Sequence, residues 1–107
     1  MKKYLLLDSG YYWLYVIELT SDEEIELTTE LLEQATAECI KNGIGINFMK
    51  DDDKNIKEMM KDDEIEGYVY LDLSCYDMDY NVYLDIRNCK LLDEIPETYT
   101  INLKVSI

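Results

Sequence analysis

The sequence predicts an α+β domain: an antiparallel β-sheet of about five to six strands, with one main helix and one short helix packed on one face. Three observations carry that reading. Apolar, β-branched and aromatic residues alternate with polar ones in several short runs, the period of a strand with one wet face. One longer stretch, 29–42, places its apolar residues at helical spacing. No linker-like composition and no internal repeat interrupts the 107 residues, so one domain spans 1–107.

Residues 2–8 and 11–19 are two apolar and aromatic runs around Ser9-Gly10. Glycine supplies the positive φ that a tight turn demands, so the two runs predict a β-hairpin. Ser21 followed three residues later by Glu24 fits a capping box, while Thr28 or Thr29 offers a second helix cap. Ile25-Glu26-Leu27 equally fits an extension of the strand. From 29 to 42, Leu31, Leu32, Ala35, Cys39 and Ile40 form one buried stripe, with Glu30, Glu33 and Glu38 off it. Lys41 suits the negative end of the helix dipole, and Asn42-Gly43 stops the helix. Ile44, Ile46 and Phe48 then alternate as in a short strand.

Asp51-Asp52-Asp53 offers caps for a short helix at 53–61, with Ile56, Met59 and Met60 as its stripe. Three strands follow. Val69, Leu71 and Leu73 alternate within 67–73, and Val82, Leu84 and Ile86 within 80–87. Tyr99, Ile101, Leu103, Val105 and Ile107 alternate within 98–107. Pro96 lies in the loop before the last run, where its missing N–H costs nothing.

Composition excludes more than it selects. Twenty-four Asp and Glu against ten Lys and Arg leave a net charge of -14 on 12.6 kDa. A folded chain of that mass exposes about 6,200 Å², or roughly one uncompensated negative charge per 440 Å². Arg87 is the only arginine, so there are too few cations to replace counterions on phosphates, and direct nucleic-acid binding is excluded. There is no histidine, which removes Ser-His-Asp and Cys-His catalysis and His-ligated metals. No cofactor is implied. Cys39, Cys75 and Cys89 form neither a disulfide framework nor a zinc spacing, and read as reduced thiols of a cytoplasmic protein. The apolar run Tyr4-Leu5-Leu6-Leu7 stops at Asp8, too short for a signal peptide, and no stretch approaches the ~20 apolar residues of a membrane span.

Several short patterns bear on chemistry. Leu5-Leu6-Leu7-Asp8-Ser9-Gly10 resembles the apolar-apolar-Asp-Ser/Thr-Gly signature of the aspartic proteases, whose retroviral members are dimers of short chains. That resemblance implies Asp8 as one of two carboxylates sharing a proton, a remote alternative to a binding protein. Tyr11 stands where that family prefers a small residue, and a plain turn in which Asp8 bonds its own backbone explains the same letters. Asp51, Asp53, Asn55 and Asp62 match calcium-loop positions, but Ile56 stands where the sharp turn needs Gly, and helix caps account better for the acids. Asp72, Asp77, Asp79 and Asp85 lie on or between two neighbouring strands, where carboxylates could gather a magnesium ion or simply form a solvated face. Tyr68, Tyr70 and Tyr83 share the outer face of those strands with Asp72 and Asp85, a Tyr-and-Asp mixture suited to protein binding.

The acidity is then best matched by a basic protein partner, with Asp72, Asp77, Asp79 and Asp85 as charges and Tyr68, Tyr70 and Tyr83 as anchors. At class level the chain resembles the small acidic phage-encoded inhibitors that act as DNA mimics, including anti-CRISPR proteins, in size, sign of charge and lack of His-based chemistry. The resemblance implies a non-enzymatic inhibitor that fills the cationic surface of a nuclease or other nucleic-acid-binding protein in the host cytoplasm. A bacterial immunity protein or antitoxin that neutralises a cationic toxin shares the same physics and is the alternative.

Overall fold

The computed structural model describes residues 1–11, 13–50, 58 and 67–107. Strands β1 (Lys2–Asp8) and β2 (Leu14–Thr20) form the expected hairpin, with Leu5 opposite Ile17 and Leu7 opposite Tyr15. The turn is wider than a two-residue one. Ser9 N–H donates to the Trp13 carbonyl at 2.8 Å, so β2 starts at Leu14 instead of residue 11. Asp8 Oδ1 accepts the Gly10 N–H at 2.9 Å, and Gly10 takes φ +89°.

Helix α1 (Thr29–Lys41) follows the predicted stripe and is capped by Thr28, whose Oγ1 accepts the Leu31 N–H at 3.1 Å. Ser21 caps no helix; its hydroxyl accepts the Glu23 N–H at 3.1 Å in a local turn. At the other end, Gly43 sits at φ +78° and donates to the Ile40 carbonyl, while Ile44 N–H returns to the Cys39 carbonyl. That paired closure is the glycine-terminated helix stop. It carries the chain onward as a turn, so the expected strand at Ile44–Phe48 does not form, and Ile46 is left 85% exposed. A two-residue strand, β3 (Met49–Lys50), follows instead.

The remaining strands are β4 (Tyr68–Leu71), β5 (Val82–Asp85), β6 (Lys90–Leu92) and β7 (Leu103–Ser106), with single 3-10 turns at Ser74–Tyr76 and Ile86–Asn88. The α+β architecture with one main helix stands. The strands, however, part into two sheets, one of four in the order β6-β1-β2-β7 and one of three in the order β3-β5-β4. Within the first, β7 runs parallel to β2, so that sheet is mixed rather than wholly antiparallel. No hairpin ties β7 to β2; across the pair Lys104 lies opposite Glu18, with Nζ 3.7 Å from its carboxylate. The short helix expected at 53–61 and the calcium-like run Asp51–Asp62 lie outside the described residues, Glu58 apart.

One core joins the layers. Leu5, Leu7, Ile17 and Leu19 from the four-stranded sheet meet Leu32, Ala35 and Cys39 of α1 and Leu71, Val82 and Leu84 of the smaller sheet. Leu6 and Val16, on the opposite face of the larger sheet, are buried too. There, Asn102 brackets Val16, donating from its N–H to the Val16 carbonyl and accepting the Val16 N–H at Oδ1, both at 2.8 Å. Among the described residues, no helix is long and apolar enough to cross a membrane.

Thr36 is the misfit in this core. It is fully buried in α1, and its Oγ1 has no hydrogen-bond partner among the described residues. An unsatisfied buried hydroxyl costs about 1–3 kcal/mol, whereas an apolar group of the same shape costs nothing of that kind. The Thr36→Val variant is therefore expected to be more stable by about 1 kcal/mol, which raises the midpoint of a thermal melt by about 4–8 °C. A melt at or below that of the parent chain would show that the hydroxyl is satisfied in solution.

Candidate functional site

The tyrosines and aspartates singled out above lie on the β4–β5 hairpin of the smaller sheet. Antiparallel pairing sets Tyr70 opposite Tyr83 and Tyr68 opposite Asp85, so these four side chains share one face, as the alternation predicts. The Tyr70 and Tyr83 rings meet edge to face at 5.1 Å, and Tyr70 remains 46% exposed. Asn81 closes the connection between the strands: its Oδ1 accepts the Leu73 N–H at 2.9 Å and its amide donates to the Tyr70 hydroxyl.

Three of the aspartates gather at that connection and are exposed. Asp72 accepts the Ser74 N–H at 2.9 Å, and this backbone hydrogen bond holds its carboxyl below the usual range. Asp77 ends the 3-10 turn in the left-handed region at φ +61°, a conformation that Asp tolerates better than most residues. Asp79 follows two residues on.

Asp85 stands apart from them, at the other end of β5. It is only 7% exposed and is clasped by Arg87 through two 2.8 Å hydrogen bonds, Nε to Oδ1 and Nη2 to Oδ2. The Arg87 side-chain hydrogen bond holds the Asp85 carboxyl low, against the opposing effect of burial. The guanidinium in turn lies 5.6 Å from the centre of the Tyr68 ring. Asp85 thus works inside the fold, not as a free surface charge. Among the described residues, no group of three or more Asp, Glu, Cys or His is arranged to hold a metal ion.

The structure adds acids that the strand pattern did not reach. Tyr76, beside the Asp72–Asp79 turn, has its phenol pushed up first by partial burial and then by the charges of Glu33, Cys75 and Glu30. Glu30 and Glu33, in the first turns of α1, thus add to the negative charge felt at this connection beside Asp72, Asp77 and Asp79. Their three-residue spacing on α1 was visible in the sequence; the turn they would face was not. None of these five carboxylates is in an ion pair among the described residues. The pairs that do form lie elsewhere: Lys2 and Lys104 on Glu18, Lys3 on Asp93, and Arg87 on Asp85.

The cysteines are free, with Cys75 exposed. Burial pushes the Cys39 thiol up to about 12 and the Cys89 thiol up to about 11, so neither is a ready nucleophile. Asp8, the residue of the protease-like signature, has its carboxylate occupied by the Gly10 N–H and by the Asn88 amide at 3.0 Å. No protein-family model, no curated protein and no solved structure matches this chain.

Proposed function

We propose that this protein is an acidic binding protein that inhibits a nucleic-acid-handling enzyme by occupying its cationic surface, in the manner of a phage-type DNA mimic such as an anti-CRISPR protein. The observation that carries the reading is the segregation of charge. Asp72, Asp77 and Asp79 are exposed around the β4–β5 connection, next to an exposed Tyr70 and its partner Tyr83, and like Glu30 and Glu33, whose charge reaches Tyr76, they are in no ion pair among the described residues. On α1, acids three residues apart have side-chain bases about 5–6 Å apart, a regular row of negative charge of the kind a phosphate-binding groove accepts. The tyrosines supply rigid contact area with a hydroxyl at the tip, the side chain most used at protein interfaces. An exposed free thiol at Cys75 suits a protein that acts in the reducing cytoplasm.

The test is capture of a partner from host lysate at low salt, followed by stepwise salt elution and by competition with duplex DNA. The captured protein is expected to bind nucleic acid, to be displaced by it, and to be released as the Debye length falls from about 10 Å at 0.1 M to about 3 Å at 1 M. Lysine substitutions at Asp72 and Asp77 are expected to slow association more than they speed dissociation, whereas Tyr70→Ala speeds dissociation. A partner that stays bound at high salt, or binds together with its nucleic acid, would overturn the mimicry.

A further inference from the structure

A cavity of about 260 Å³ opens on the outer face of the four-stranded sheet, lined by Leu6, Asp8, Leu14, Asn88, Lys90 and Tyr99. The sheet register builds it. Leu6 and Asp8 alternate along β1 on one face, Leu14 lies directly opposite Asp8, and Lys90 lies directly opposite Leu6. Asn88 comes from the 3-10 turn before β6, and Tyr99 from the connection before β7.

Its chemistry is mixed in a specific way. Asp8 is fixed from behind, Oδ1 by the Gly10 N–H at 2.9 Å and Oδ2 by the Asn88 amide at 3.0 Å. Each carboxylate oxygen keeps a lone pair for a ligand. Lys90 is exposed, and its ammonium is in no ion pair among the described residues. Asp8 and Lys90 are diagonal neighbours across the strand pair, about 7–8 Å apart at the backbone. They therefore present one negative and one positive group side by side without neutralising each other. Leu6 forms the floor beside Lys90, and Leu14 adds apolar surface on the β2 side of Asp8, away from Lys90.

We propose that this pocket binds a free α-amino acid with an apolar side chain. Its ammonium meets Asp8, its carboxylate meets Lys90, and its side chain rests on Leu6 and Leu14 beside the Tyr99 ring. Asp8 and a chain of net charge -14 repel a simple anion, and a simple cation on Asp8 leaves Lys90 without a counter-charge; a zwitterion satisfies both groups. The cavity falls just under the about 300–1,000 Å³ of ordinary small-molecule sites, which excludes a nucleotide and suits a single amino acid. This site lies on the four-stranded sheet and does not depend on the acidic β4–β5 connection acting as a mimic.

The experiment is a titration of the isotope-labelled protein with L-leucine, followed by amide chemical shifts. The ligands 4-methylpentanoate, isoamylamine and leucinamide lack the ammonium, the carboxylate and the carboxylate charge respectively. Leucine is expected to shift Leu6, Asp8, Leu14, Asn88, Lys90 and Tyr99 saturably, with each of the other three at least about tenfold weaker. Lys90→Met and Asp8→Asn should each weaken leucine binding by about tenfold or more while leaving the spectrum folded, because Asn can still accept the Gly10 N–H. Absence of saturable shifts up to about 10 mM leucine, ten times a weak Kd of about 1 mM, would overturn the proposal. So would 4-methylpentanoate or isoamylamine binding as tightly as leucine. Leucinamide binding equally well would replace the free amino acid with a peptide N-terminus and overturn it as stated.

Discussion

Replacing Arg87 with Met is expected to lower the unfolding free energy at neutral pH, because it leaves the nearly buried Asp85 carboxylate without its guanidinium. Solvent screening moderates the effect, since the Arg87 side chain is itself 59% exposed although Asp85 is buried. The loss arises from Asp85, which would keep the Arg87 N–H at 3.1 Å and a long contact to the Asn88 amide but lose both guanidinium hydrogen bonds. Because Arg87 holds the folded Asp85 pKa below its unfolded value of about 3.9, this stabilisation is fully present above that value. It disappears as pH falls through the lower folded pKa. Urea unfolding at pH 7 should therefore separate the two proteins widely, and at about pH 3 the gap should narrow. A gap that stays constant would assign the loss to the packing of the arginine stem. Gly67 belongs to the same unit: at φ +88°, a Cβ there would lie 2.4 Å from Arg87 Cδ and 2.5 Å from Nε. Gly67→Ala should consequently cost less in the Arg87→Met background than in the parent chain, a coupling that a double-mutant cycle measures.

Gly10→Ala is expected to cost about 2–4 kcal/mol, from two independent causes. At φ +89° a side chain brings about 1–2 kcal/mol of backbone strain. The new methyl would also stand 2.2 Å from Met49 Sδ and 3.0 Å from its Cγ, in a site where Met49 is 1% exposed and cannot swing into solvent. The loop is gripped from both sides, since Met49 N–H donates to the Ser9 carbonyl at 3.3 Å. The Met49→Ala change should relieve the steric part and leave the strain, so the double variant is expected to be more stable than the sum of the single losses implies. Thermal melts of the four proteins decide it. Strict additivity would mean that the loop moves away from β3 to make room.

The hairpin, α1 and the alternation in β4 and β5 were legible because each rests on contacts within a few residues. Thr28 as the cap and Gly43 as the stop follow from local hydrogen bonds. Partner choice among strands is different in kind. A two-residue period states which side chains share a face, not which strand lies alongside, so neither the split into two sheets nor the parallel β2–β7 pair is encoded in it. Strand β6 has only three residues, too few for a period to show. The predicted run 98–107 is halved because Tyr99 N–H turns back to the Pro96 carbonyl, and Asn102 uses a side chain to pair with Val16. At the candidate site, the exposure of Asp72, Asp77 and Asp79 followed from their place around a turn. The internal role of Asp85 did not, because it depends on Arg87 folding back two residues later over a glycine twenty positions upstream. Nor did the approach of Glu30 and Glu33, which requires α1 and the β4–β5 connection to meet.

The parallel seating of β7 sets a timetable for synthesis. Eighty-six residues separate Val16 from Asn102, so β2 can pair with β1 as soon as the hairpin emerges from the ribosome, yet its other edge waits for nearly the whole chain. Closing so long a loop adds little to the thermodynamic cost, about 0.6 kcal/mol per doubling of length, but distant pairing slows folding. Throughout that interval the free edge of β2 offers unpaired N–H and C=O groups to any neighbouring nascent chain. Nine Asp and Glu against four Lys within residues 1–50 already make the emerging chain negative, and mutual repulsion opposes such encounters.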